Sequence, residues 1–249
     1  MLHWRFSEKS PKKPLYDYLQ ADMDRKQALK ASPLLHSIAL LPASRLSLGP
    51  LLELLSGFVM DLGFSFEKQE YPIETEEDLE VYAQRVAGTV AAGLLELVFS
   101  HTDVQYSPDK QEEIIQAGQQ MGKALQYVNI ARDIKRDAAI KRVYIPTVWL
   151  KTKNLTPTDV VTNPDNPALA TFEDRMLLKA DHAYQMSVQA IDQLPKDVRG
   201  PIKTTIESYM MIGQMVRKAR RESTKIEGKL KVPLWRRLKL AWSAMYVNH

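Results

Sequence analysis

Apolar residues along this chain recur at three- and four-residue intervals rather than alternately, and that period predicts helices. From about Leu51 to Leu62 they suit one helix face, and Phe64 to Thr75 reads as a connection. Glu76, Glu77 and Asp78 then put negative charge at a helix start, where the macrodipole favours it. That helix runs to about Phe99 and is rich in small residues, among them Ala87, Gly88, Ala91, Ala92 and Gly93. Ser107-Pro108-Asp109 opens a long helix that reaches about Ala138. A loop follows, with Tyr144, Pro146, Pro157, Asn163, Pro164 and Pro167. The helical pattern resumes near Phe172 and runs to about Leu194, is punctuated by Pro195 and Gly200-Pro201, and continues to about Ser223. A basic amphipathic helix is expected from Pro233 to Tyr246, with proline in its first turn. No strand alternation competes with this pattern, and residues 1–34, punctuated by Pro11, Pro14 and Pro33, read as irregular. The expected architecture is all-α, one bundle of six or seven helices over residues 35–249.

Composition narrows the function classes. The 249 residues include no cysteine, which excludes disulfides, cysteine-bearing zinc sites and thiol catalysis. Lys plus Arg number 34 against 30 Asp plus Glu, and a net +4 is too small to argue for nucleic acid as a partner. The last thirty residues carry a basic excess, a solvated or membrane-surface face. Met1 to Pro14 has no apolar core of a secretory signal. The most apolar stretch, Ser37 to Met60, is broken by Pro42, Arg45, Pro50 and Glu53, so it reads as buried helix rather than a membrane span, as does Val86 to Phe99. The expected location is intracellular, peripheral to a membrane. The five histidines show no i,i+4 pairing that would suggest zinc.

Candidate chemistry concentrates between Gly122 and Asp137. Asn129, Asp133 and Asp137 are spaced by four and lie above one another on one helix face, with Gln126 on the same side. Two carboxylates one turn apart suit Mg²⁺, which takes oxygen ligands and keeps positions for water or substrate phosphate. Arg132, Arg136 and Arg142 supply planar forks that match phosphate oxygens. The bland alternative is a solvated face of i,i+4 ion pairs. Asn129 weighs against it, because an amide in line with two carboxylates offers no ion pair.

The run GKALQYVNIARDIKRDAAIKRVYIP resembles the second aspartate-rich motif of the squalene and phytoene synthase family, and within it the fungal phytoene synthases, often fused behind a lycopene cyclase domain. LLELLSGFVMDL, YAQRVAGTVAAGLLELVF, GPIKTTIESYMMIGQMVRKA and KLKVPLWRRLKLAWSAMY resemble further family segments in the same order. The resemblance implies an isoprenoid-synthase-type bundle. It implies Asp133 and Asp137 as Mg²⁺ ligands, with Mn²⁺ as an alternative, and Asn129 and Gln126 completing the polar stripe. Arg132, Arg142 and Tyr144 would contact the diphosphate or close the site, and Tyr82 would sit beside the reacting carbon skeleton. Val86, Gly88 and Val90 would line an isoprenoid tunnel. Lys229 stands where relatives usually carry Arg, and Ala91 and Lys141 replace usual glycines.

The implied reaction joins two geranylgeranyl diphosphates head to head through prephytoene diphosphate to phytoene, without NADPH. The resemblance also implies a first aspartate pair facing the second. Family spacing from Tyr82 puts it at or before residue 1, so the bundle is expected to lack its first helices and to make little phytoene alone. The alternative is a non-catalytic, synthase-like binding or assembly protein.

Overall fold

Thr75 and Asp78 show how local chemistry starts a helix in this chain. The Thr75 hydroxyl accepts from the Asp78 amide at 3.2 Å, and the Asp78 carboxylate accepts from the Thr75 amide at 2.8 Å. This reciprocal cap satisfies donors that the first turn would leave orphaned, and a cap of this kind is worth ~1 kcal/mol. Thr156 and Asp159 repeat the device, and Ser107 caps the longest helix ahead of Pro108.

The computed structural model describes residues 45–222 and 232–246. The described helices are α1 (Leu48–Leu62), α2 (Glu76–Ala83), α3 (Thr89–His101), α4 (Pro108–Ala139), α5 (Thr147–Lys151), α6 (Pro157–Thr162), α7 (Leu169–Ser187), α8 (Lys196–Arg221) and α9 (Leu234–Tyr246). A π-helical turn, Gln84–Gly88, joins α2 to α3, and a 3₁₀ turn, Val188–Gln193, follows α7. The described residues contain no strand beyond one isolated bridge between Ser65 and Glu70. The expectation of an all-α bundle therefore holds for them. None of their helices is long and apolar enough to cross a membrane. Lys229 and residues 1–34 lie outside the described residues.

Helix α4 is the axis: α7, α3, the π turn and α8 all pack against it. Its buried residues include Ile114, Met121, Tyr127, Val128, Ile130 and Ile134. Two glycines set how closely the neighbours approach. A Cβ on Gly122 would lie 2.5 Å from the Ala87 carbonyl oxygen and 3.0 Å from the Gly88 Cα, and a Cβ on Gly57 of α1 would lie 2.7 Å from Val86. The π turn sits where these contacts converge. There the Thr89 amide reaches back five residues to the Gln84 carbonyl, and the Thr89 hydroxyl takes the Arg85 carbonyl at 2.5 Å.

The structure differs from the sequence reading in three places. The loop after Tyr144 holds two short helices, α5 and α6, whose prolines at or before the first turn start helices rather than interrupt them. Helix α8 runs through Pro201, which is only its sixth residue and removes one backbone bond near the start. Helix α1 is not a buried helix: only Gly57 is buried, while Leu48, Leu52, Leu55, Phe58, Val59 and Leu62 are exposed. It packs on the π turn and α3 along one face, so its remaining apolar face is uncovered.

Candidate active site

The polar stripe of α4 faces inward. Gln126, Asn129, Asp133 and Asp137 are half-buried, whereas Lys135 and Arg136 on the other side are exposed. A solvated face of i,i+4 ion pairs does not describe this stripe. Asp133 is instead gripped by its neighbour Arg132, with Nε donating to Oδ1 at 2.8 Å and Nη2 to Oδ2 at 2.5 Å. Asn129 Nδ2 donates to Gln126 Oε1 at 3.4 Å, and its buried Oδ1 has no partner among the described residues. Burial, reinforced by Asp133, pushes the Asp137 carboxyl up to about 7 against the pull of Arg136 and Arg142, with Asp61 adding to the rise.

That last residue carries a second cluster. Asp61, in the last turn of α1, accepts from the Tyr82 hydroxyl at 3.0 Å and the Tyr144 hydroxyl at 2.8 Å, both through Oδ1. The two rings stack, with centroids 5.0 Å apart. Arg142 Nη1 lies 3.6 Å from Asp61 Oδ2 and donates to the Tyr144 hydroxyl at 3.4 Å. Burial raises both phenols, Tyr144 to about 12, so they remain donors at neutral pH. Lys141 makes this geometry possible by taking φ 61°, a left-handed conformation that favours glycine. The Lys141 amide donates to the Ala138 carbonyl and the Arg142 amide to the Asp137 carbonyl, each at 2.9 Å, which ends α4 and turns the chain back. The Lys141 ammonium also pairs with Glu67 at 2.8 Å. The lysine thus holds a turn that favours glycine, at a strain cost of ~1–2 kcal/mol.

Beside the stripe lies an apolar cavity of about 540 Å³, within the ~300–1,000 Å³ range of small-molecule sites. It follows α4 from Ile114 to Asn129 and is closed by the π turn, α3, the 3₁₀ turn and α8. That stretch of α4 is about 22 Å long at the helical rise per residue. Val86, Val90 and Ala91 line it, and Gln126 and Asn129 form its polar end. Val90 and Leu94 are half exposed, so the cavity opens beside them. Gly88 is not on the wall; it lies under Gly122 at the helix crossing. Tyr82 is likewise off the wall, held by Asp61 and Tyr144.

The stripe fits a hard, oxygen-seeking divalent cation. The partnerless Asn129 oxygen and the proton-retaining Asp137 are both groups that such a cation would satisfy, with Asp133 beside them. The described residues contain no group of three or more His, Cys, Asp or Glu set for a metal, so an amide and water or substrate oxygens would complete the shell.

The profile of the squalene/phytoene synthase family matches residues 8–236. The chain belongs to that family. Its synthase relatives include the bifunctional lycopene cyclase/phytoene synthase of Arthroderma gypseum, 54% identical over 85% of this chain and 35% of that protein. The protein of the same description from Gibberella fujikuroi is 44% identical over 89% of this chain and 38% of its own length. The chain thus spans a little over a third of the length of these curated relatives. Among solved structures, a dehydrosqualene synthase in complex with ligand aligns with TM-score 0.66 at 20% identity, covering 92% of this chain and 80% of that one. The squalene synthase HpnC from Alicyclobacillus acidocaldarius aligns with TM-score 0.62 at 20% identity, over 82% and 73%. These likenesses establish the all-α synthase fold.

Asp61 was not among the residues singled out in the sequence. One signal was there: an aspartate in the last turn of a largely apolar helix, where the macrodipole disfavours negative charge.

Proposed function

We propose that this chain is the synthase portion of a carotenoid-forming prenyltransferase, condensing two geranylgeranyl diphosphates to phytoene through prephytoene diphosphate. One observation carries the reading: Gln126 and Asn129 belong both to the carboxylate stripe and to the wall of the apolar cavity. A substrate with a diphosphate head and a long hydrocarbon tail matches that junction. The names of the fungal relatives support the reaction and a lycopene cyclase domain, fused or separate, as partner.

In this reading Asp133, Asp137 and Asn129 would hold Mg²⁺, with Mn²⁺ as an alternative, which when bound would supply positive charge for the leaving diphosphate. Arg142 pairs with phosphate oxygens, and Arg132 exchanges Asp133 for them. In the first half-reaction one C–O bond breaks, the diphosphate leaves with the electron pair, the second substrate's double bond attacks the allylic cation, and loss of one proton to the released diphosphate closes the cyclopropane. In the second, the remaining diphosphate leaves, the skeleton rearranges, and loss of a second proton, again to diphosphate, forms the last double bond. The apolar cavity keeps water from these cations, while Tyr82 and Tyr144, off its wall, hold Asp61 beside Arg142. No reductant enters the balance, so NADPH has no role. We place the protein inside the cell, against the membrane that dissolves its substrate. The basic Lys229 would draw phosphate towards the site. A second reading, binding without turnover, is favoured by the Arg132–Asp133 pairing, which already occupies one carboxylate.

The test is titration of the full chain with an unreactive thiolo analogue of geranylgeranyl diphosphate, alongside a product assay with the true substrate. Mg²⁺-dependent binding that vanishes in Asp137→Ala, together with phytoene in the extract, is the expected result. Binding indifferent to Mg²⁺ and to that substitution overturns the synthase reading, and Mg²⁺-dependent binding without product supports the second one.

A further inference from the structure

Helix α9 is packed inside out. At about 100° per residue, Leu234, Trp235, Leu238 and Trp242 fall within one sector of about 100°. They are 68%, 62%, 61% and 65% exposed. The half-buried residues of the helix are Arg236, Leu240, Ala241 and Ser243, and Arg236, Leu240 and Ser243 form the opposite side. Helix α9 rests on α8, yet the face it turns away from the protein is its most apolar one. Single exposed apolar residues need no explanation, but a contiguous stripe of two leucines and two tryptophans does.

Charge around the stripe says what it meets. On the helical wheel Arg237 and Lys239 flank the apolar sector, one on each rim, and both are exposed. The Arg236 guanidinium lies over the Trp235 ring, 5.0 Å from its centroid. From Gly228 to His249 the sequence contains five Lys and Arg residues and no Asp or Glu. Tryptophans at a hydrocarbon–water boundary, with long cationic side chains reaching outward from the rims, make the pattern of a helix lying in the plane of a lipid interface. A protein partner would need acidic groups along both rims, whereas anionic headgroups supply them everywhere.

We infer that α9 is a lipid-docking helix that binds the surface of anionic membranes through Leu234, Trp235, Leu238 and Trp242, with Arg237 and Lys239 among the headgroups. The inference deepens the functional reading, which sets the synthase against a membrane, by naming the surface that makes the contact. Helix α8, which carries α9, also contributes Ile202, Thr205 and Ile206 to the cavity. Helix α8 thus touches both the docking helix and the space proposed for the prenyl tail.

The experiment is co-sedimentation of the full chain with phosphatidylcholine vesicles, with and without phosphatidylserine. Binding at least tenfold tighter to the anionic vesicles is expected. Arg237→Gln with Lys239→Gln weakens it on the order of thirtyfold, since each cation near an anionic surface contributes about fivefold. Trp235→Ser with Trp242→Ser removes binding to both vesicle types, while the circular-dichroism melt of each variant stays unchanged. Equal partition onto neutral and anionic vesicles, unaltered by either double substitution, overturns the proposal. So does a vesicle-free dimer that the tryptophan variant converts to monomer, because the stripe is then a protein interface. Mg²⁺-dependent analogue binding is measured without lipid, so its failure strikes the synthase reading and leaves the vesicle result to be judged by itself.

Discussion

At its C-terminal end α4 turns Asn129, Asp133 and Asp137 towards the interior, whereas α9 turns Leu234, Trp235, Leu238 and Trp242 towards solvent. Both reverse the usual arrangement, in which apolar faces are covered and charges are wet. Buried polar groups and exposed apolar patches are the informative exceptions to that arrangement. In α4 the exception costs stability: a carboxyl sits at about 7 because it is buried beside another. In α9 it costs little in the folded chain, since the four side chains keep about two-thirds of their surface in water. The difference separates a site that must be held under strain by its surroundings from a surface that the fold leaves exposed.

The strongest way to break the comparison is to remove a carboxylate from α4. If the chain turns over as proposed, Asp133→Ala or Asp137→Ala should lower phytoene formation about a thousandfold, the loss expected from ~4 kcal/mol of electrostatic stabilisation. The Trp235→Ser/Trp242→Ser chain should stay within about twofold of the parent rate when substrate is supplied in detergent. Steady-state product assays check both, and comparable losses would erase the distinction.

Gly122→Ala tests whether close packing holds the site. Its new Cβ meets backbone at 2.5 Å rather than a side chain that can swing away. A destabilisation of about 2–3 kcal/mol is expected in urea unfolding. Asp61→Asn comes next. The tyrosine hydroxyls keep an acceptor, but the charge facing Arg142 is gone, and a loss of about 1–2 kcal/mol follows.

Asp137 makes the strain visible through pH. The folded chain holds this proton more tightly than an unfolded one does, its carboxyl lying at about 7 rather than in the ordinary range. Folded stability from this group is therefore fully present at acid pH and is lost as pH rises through about 7. Melting in chelator should fall by a few degrees between about pH 5 and about pH 8, and Mg²⁺ should restore it. Asp137→Asn should flatten that slope and raise the melting point at pH 8 while abolishing Mg²⁺ binding. The smallest effect is expected in α9, where the double tryptophan variant should change stability by no more than about 0.5 kcal/mol.

The polar stripe could be read from sequence because Asn129, Asp133 and Asp137 are spaced by four on one helix, and the start of α4 because Ser107 and Pro108 act locally. Asp61 could not be read the same way. Its partners Tyr82 and Tyr144 are 21 and 83 residues distant, and no periodicity links them. The family resemblance put Gly88 on a tunnel wall, but the residue lies at the crossing with Gly122 and does not line the cavity. The apolar run of α1 looked buried, and packing covers only the side around Gly57. Pro201 looked like a boundary, though a proline this near a helix start costs one hydrogen bond and the helix continues.

Sequence alone determined which residues share a face, since a period of about 3.6 fixes that within each helix. It therefore determined the all-α class, the Asn129–Asp133–Asp137 stripe and the apolar sector of α9. Tertiary structure alone decided which way each face points. That choice depends on which helices pack against it, and those come from distant parts of the chain. Packing on several sides turned the stripe of α4 inward, with Gln126 and Asn129 reaching the cavity. Among the described residues, packing against α8 left the tryptophans of α9 outside.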